Sequence, residues 1–132
     1  MDEAAYRQLL MRHWKASDEG DFEVEHEIYD HKSMLYYPQS GERISGRANI
    51  QASRYAQPNS KRFAVRRITG SRDLWVTEFL LSYDGKPSHT VSIMEFRDAL
   101  VVRETQYFAD PFSPSPSRSA LVELVTEGDL DN

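Results

Sequence analysis

Cysteine is absent from all 132 residues. That excludes disulfides, thiolate nucleophiles and thiolate-held metals, and it suits a reducing compartment, so a cytoplasmic location is expected. Long hydrophobic runs are also missing: no stretch approaches the roughly 20 apolar residues that cross a bilayer, and no membrane partner is expected. The opening Met1-Asp2-Glu3-Ala4-Ala5 lacks the basic and apolar regions of a secretory leader. Positive charge is in deficit, with 16 Lys and Arg against 21 Asp and Glu and a net charge of −5. This argues against a general nucleic-acid binder. The one basic cluster, Lys61-Arg62 with Arg66-Arg67, reads as the solvated side of a strand start. There is no Gly-rich phosphate loop, no nucleophile elbow and no internal repeat, and no cofactor or metal is expected. What is present is an ordinary globular balance, 28% charged and 39% hydrophobic. It fits one domain with a single core over residues 1–127, followed by a frayed acidic end at 128–132.

Residues 2–18 read as an amphipathic helix, because Tyr6, Leu9, Leu10, His13, Trp14 and Ser17 recur at three- and four-residue spacing. Gly20 is its expected C-cap and Asp21 the next N-cap. A shorter helix is expected at 21–30, a strand at Ser33–Tyr37 before Pro38, a loop over Gln39–Gly46, and a third helix at Arg47–Ala56 before Pro58. Four longer strands follow: Phe63–Gly70, Asp73–Tyr83, Ser88–Arg97 and Leu100–Ala109. The tight turns between the last three are Asp84-Gly85 and Asp98-Ala99. Prolines make 111–116 extended, and a last helical turn or two is expected within Ser119–Glu127. Helices followed by an antiparallel meander define an α+β fold.

Tight turns predict registers. With two-residue loops, Tyr83 pairs with Lys86 and Arg97 with Leu100. Strict alternation then gives one face Trp75, Thr77, Phe79, Leu81, Tyr83, Thr90, Ser92, Met94, Phe96, Val101, Arg103, Thr105 and Tyr107. Leu74, Val76, Glu78, Leu80, His89, Val91, Ile93, Glu95, Val102, Glu104, Gln106 and Phe108 fall on the other. The first, aromatic with interspersed hydroxyls, suits a core grading into a pocket. The second suits a face covered by a second subunit, with charges at its rim. On this register Asp110 reaches the pocket only through a bulge near Ala109. If the faces are reversed, Glu78 and His89 become the pocket's acid/base pair.

The helical start, the Gly20-Asp21 break, the Gly46-Arg47 helix entry, the Asp84-Gly85 hairpin and the closing Tyr107-Phe108-Ala109-Asp110-Pro111-Phe112 resemble the nuclear transport factor 2-like superfamily. Within it, the SnoaL-like relatives of polyketide cyclases are the nearest match, over about residues 3–125. The resemblance implies a cone: a curved antiparallel sheet wrapped around three N-terminal helices. It also implies an apolar pocket and a homodimer formed through the outer sheet face. Ketosteroid isomerases, cyclases, dehydratases and epoxide hydrolases share this cone, so the fold does not give the reaction. The isomerase base position is Tyr37 here, its oxyanion tyrosine is His13, and its strand carboxylic acid falls near Ser92. None of the three carries over. The late-strand aspartate of cyclase-like members corresponds most nearly to Asp110.

Each candidate has a structural alternative. Asp110 is either a strand-end turn residue or a proton carrier whose pKa burial would raise. His13 is a core histidine or a pocket acid/base. Tyr36 and Tyr37 face opposite ways, so only one can point inward, as core packing or as a donor to a substrate carbonyl. Arg103 pairs with Asp110 or Glu95, or clamps an anionic ligand. Trp14, Trp75, Phe79, Ser92, Met94 and Tyr107 complete the expected ligand wall. His26 and His31 read as surface residues, and the cluster of His89, Glu78, Glu104 and Gln106 as dimer-face hydrogen bonding. The expected function is binding of a small hydrophobic or aromatic molecule. Cofactor-free isomerisation, cyclisation or dehydration would use Asp110 as proton carrier, with His13, Tyr37 and Tyr107 as positioning donors. The alternative is a non-catalytic ligand-binding or protein-interaction module.

Overall fold

The computed structural model describes residues 1–56 and 60–130. The expected helix stop at Pro58 and the extreme end, Asp131 and Asn132, lie outside the described residues. Helix α1 spans Glu3–Glu19. Asp2 caps it by accepting from the Ala5 amide at 2.8 Å, and Gly20, at φ +74°, ends it in the left-handed region where glycine is favoured. Its buried stripe is the one the spacing predicts: Tyr6, Leu10, His13, Trp14 and Ser17.

Helix α2 is only Phe22–His26, shorter than the expected 21–30. The sheet takes the chain up at once: the Ile28 carbonyl accepts from the Val101 amide at 2.8 Å, and β1 runs over Tyr29–Tyr37. A short strand β2, Glu42–Ser45, pairs antiparallel with β1 where a loop was expected. Four residues, three of them polar, carry too little alternation to announce a strand. Gly46 at φ +89° turns the chain into α3, Arg47–Tyr55. Strands β3 (Lys61–Ser71), β4 (Leu74–Tyr83), β5 (Lys86–Arg97) and β6 (Leu100–Ala109) follow. Both expected hairpins form, with positive φ at Asp84, Gly85, Asp98 and Ala99, the signature of primed turns that match strand twist.

The six strands form one curved, unclosed sheet in the order β2-β1-β6-β5-β4-β3. It is α+β, as expected, but not wholly antiparallel: β1 runs parallel to β6. The helices pack on the concave face. There Tyr6 lies 5.6 Å from Trp75 and 5.0 Å from Phe96, and Trp14 lies 4.5 Å from Phe79, between ring centroids. Fully burying rings of this kind contributes about 1.5–3 kcal/mol each.

Registers of β4 with β5 are as predicted from Asp84-Gly85. Those of β5 with β6 begin as predicted, at Arg97 with Leu100 and Phe96 with Val101, but then Glu95 pairs with Arg103. Val102 therefore has no opposite number. The bulge lies there and not at Ala109, and it reverses the facing of every later residue of β6. Glu104, Gln106 and Phe108 turn inward, while Arg103, Thr105 and Tyr107 turn outward. The burial pattern records it: Val101 and Glu104 are each 0% exposed. Three residues apart, they cannot share a face under strict alternation.

Beyond Ala109 the chain is extended, with a single 3-10 turn at Pro116–Arg118 and a short helix α4 at Glu127–Leu130. Across Ser119–Thr126 only one further turn forms, with the Leu121 amide donating to the Arg118 carbonyl at 2.8 Å, and no helix begins before Glu127. The Glu127 carboxylate instead meets the Arg66 guanidinium. Among the described residues, no helix is long and apolar enough to cross a membrane.

Candidate functional site

Helices and concave sheet enclose a cavity of about 310 Å³, at the small end of the roughly 300–1,000 Å³ typical of ligand sites. Its wall is aromatic: Trp14 from α1, Phe63 from β3, Phe79 and Tyr83 from β4, Tyr37 from β1 and Phe108 from β6. Trp14, Phe63 and Phe79 form one cluster, with centroid separations of 4.5 to 5.9 Å. The indole N–H of Trp14 donates to Thr77 at 3.0 Å, which fixes the ring. Tyr37 and Phe108 stand 5.7 Å apart. Gln39 braces that side of the cavity, its side-chain amide donating to the Phe108 carbonyl and accepting from the Phe108 amide at 2.5 and 2.6 Å.

The polar side of the cavity is formed by Glu25, Glu42, Ser53, Arg54, Lys61 and Gln106. Behind it lies a buried network centred on Glu104. One carboxylate oxygen accepts from the Tyr29 hydroxyl at 2.5 Å and from Arg54 at 3.4 Å. The other accepts from Ser92 at 2.5 Å and from the Gln106 amide at 3.0 Å. Arg54 also donates to the Tyr29 oxygen at 2.8 Å and lies 3.8 Å from Glu25. Burial opposes the Arg54 charge, but Tyr29, Glu104 and Glu25 more than offset this and hold its pKa well above the ordinary value. Burial pushes the Tyr29 phenol well up and raises Tyr37 as well. Both therefore remain O–H donors at neutral pH.

His13 lies below this floor and does not line the cavity. Its Nδ1–H donates to the Glu25 carbonyl at 2.7 Å. Burial, with repulsion from Arg54, lowers its pKa to about 4, so it is neutral near pH 7. His26, expected at the surface, is 0% exposed. Its Nδ1–H donates to the Phe22 carbonyl at 2.7 Å, while its Nε2 has no hydrogen-bond partner among the described residues. Position 31, by contrast, is exposed as expected.

Of the residues singled out from sequence, the structure brings Trp14, Tyr37 and Phe79 to the cavity. Trp75 and Met94 are buried in the core, and Ser92 serves Glu104. Tyr36, Arg103 and Tyr107 stand on the outer face: the Arg103 guanidinium lies 4.1 Å from the Tyr36 ring centroid and pairs with Glu95 at 3.4 Å. Asp110 is exposed beyond the end of β6 and does not line the cavity. The bulge at Val102 gives it the same parity as Gln106 and Phe108, but β6 ends at Ala109, so the sheet no longer holds it against the cavity. Glu78 pairs with Arg67 at 3.1 Å. Among the described residues, no group of three or more His, Asp or Glu side chains is placed to hold a metal ion.

Sequence reasoning passed over Glu25, Arg54, Lys61 and Tyr29. Only Glu104 carried a usable signal, being a carboxylate inside the apolar run that opens β6. Arg54 sits in the last turn of a polar helix, and Lys61 looked like one of four basic residues on a strand edge.

An unclosed α+β cone with a small aromatic cavity defines the class. No protein-family model and no curated protein matches the chain. Solved structures do. An NTF-2 like protein of unknown function from Burkholderia xenovorans is 52% identical, with a TM-score of 0.88 over 96% of this chain and 99% of that one. A protein from Kribbella flavida, assigned provisionally as a ketosteroid isomerase, is 24% identical with a TM-score of 0.84, over 92% of this chain and 90% of its own. A SnoaL-like protein of unknown function from Burkholderia thailandensis is 15% identical with a TM-score of 0.71, over 83% of this chain and 98% of its own. The chain belongs to the NTF-2-like family.

Proposed function

We propose that the chain binds a small hydrophobic or aromatic molecule in this cavity and acts on it by cofactor-free acid/base chemistry: isomerisation, cyclisation or dehydration. One observation supports this most directly. Glu25 lines the polar side of the cavity opposite its aromatic wall and is 5% exposed, its carboxylate held by Arg54 at 3.8 Å. A carboxylate in that position can take a proton from a carbon next to a carbonyl and return it elsewhere. Tyr37 O–H would donate to the developing enolate oxygen. Asp110 and His13 have no part in this reading, the first because it lies outside the cavity and the second because it is sealed beneath it. Glu104, with an acceptor site used by each of Tyr29, Arg54, Ser92 and Gln106, holds the floor and is not a free base.

Saturation of Glu104 favours a second reading, a ligand-binding module without turnover. Native mass spectrometry of protein purified from its own host would identify the bound molecule, whose conversion is then followed. Turnover lost in Glu25→Gln, with binding retained, is the expected result. Equal turnover in the variant rejects Glu25 as base, and a ligand returned unchanged supports the module.

The outer sheet face supports a homodimer. Val76, Leu80, Val91 and Ile93 are half-buried and Tyr107 is 42% exposed. The Arg67–Glu78 and Arg103–Glu95 pairs flank them, an apolar centre with a charged rim. Lack of cysteine supports a reducing, cytoplasmic setting.

A further inference from the structure

The cavity's cations are not equivalent. Arg54 directs its guanidinium into the floor, toward Tyr29, Glu104 and Glu25. Lys61 lines the same cavity from the first residue of β3, half-buried, and has no side-chain hydrogen bond or ion pair among the described residues. Its cross-strand neighbour is Tyr83, itself in the aromatic wall. The carboxylate that acts on it, Glu25, is already held by Arg54. Burial lowers the Lys61 pKa; Arg54 adds to that, and Glu25 offsets it only in part. An ammonium with three donors and no acceptor, set against aromatic rings, is incomplete.

We infer that Lys61 is the anchor for an anionic oxygen on the ligand, so that the site takes a small aromatic or alicyclic monocarboxylate. The carboxylate would meet the ammonium at the β3 side while the ring fills the space between Phe63, Phe79 and Phe108. This deepens the acid/base reading by naming the substrate class: a carbonyl compound that also carries a carboxylate. Arg54 cannot take this role without releasing the buried Glu104. Lys61 can, because its ammonium holds no hydrogen bond or ion pair among the described residues.

The test uses 2-naphthoate and its uncharged isostere 2-naphthamide as probes, titrated by NMR into the full-length protein and into Lys61→Gln and Lys61→Arg. We expect the acid to bind the native protein at least tenfold more tightly than the amide. Lys61→Gln should remove that preference, the acid losing at least tenfold in affinity and the amide much less, and Lys61→Arg should retain much of it. Equal affinity for acid and amide in the native protein overturns the inference and leaves the cavity reading standing. An acid preference that survives Lys61→Gln also overturns it. Failure of both probes to bind overturns the cavity reading as well. None of these outcomes depends on turnover, which the Glu25→Gln experiment measures separately.

Discussion

The Tyr29 hydroxyl donates to Glu104 at 2.5 Å, across 75 positions of sequence, and joins the first strand of the sheet to the last. Arg54 bridges the two from α3. Removing one partner from such a pair leaves a buried charge uncompensated, at a cost of roughly 3–5 kcal/mol. Glu104→Gln should therefore lower the urea midpoint severely. Tyr29→Phe, which deletes only a hydroxyl, should cost about 1–3 kcal/mol. Equal midpoints for native and Glu104→Gln proteins would show that the network contributes nothing to stability.

Stability should depend on pH through His13. Its pKa is lowered from 6.5 unfolded to about 4 folded, so between those values the unfolded state binds the extra proton. Stability is then complete above pH 6.5 and falls as pH drops toward 4, by about 3 kcal/mol for this residue. His26, also lowered by burial, adds in the same direction. Urea unfolding at intervals from pH 4 to 7.5 measures the slope. His13→Gln should flatten it, and an unchanged slope would place the titration elsewhere.

Gly70 faces Trp75 across the β3–β4 ladder, and a Cβ there would come within 2.4 Å of the indole. Trp75 is 1% exposed and cannot swing clear. Gly70→Ala should destabilise by about 1–3 kcal/mol, the range for overpacking a core. A thermal midpoint unchanged from the native protein would mean that the strand shifts freely at this point.

Val91 lies at the centre of the outer face, between Glu78 and Tyr107 on the flanking strands. If a second copy covers this face, Val91→Arg should yield monomers that keep the native fold, read by sizing with light scattering and by circular dichroism. A dimer that persists in the variant would falsify the assignment of this face as the interface.

Local signals carried most of the architecture. The stripe from Tyr6 to Ser17, the glycine caps at Gly20 and Gly46, and the two hairpins all depend on near neighbours and were legible. So was the facing of β4 and β5, because Asp84-Gly85 pins their register. The site was far less legible. Trp14 and Phe79 lie on the faces that spacing and alternation predict, whereas alternation alone leaves open which of Tyr36 and Tyr37 points inward. Glu104, Gln106 and Phe108 were put on the wrong face because nothing local marks a bulge at Val102.

The closing Tyr107-to-Phe112 segment shows the division. Sequence alone determined where the sheet ends, since Pro111 has no amide to donate and the ladder cannot continue. Only tertiary structure decided which carboxylate faces inward. One unpaired residue at Val102 exchanges the two faces of β6 and turns Glu104 toward Arg54 and Tyr29, while Asp110 is left in solvent because β6 ends one residue before it, at Ala109. A bulge is stabilised by contacts far away in sequence, here with residues 29, 54 and 92, so alternation along the strand could not reveal it.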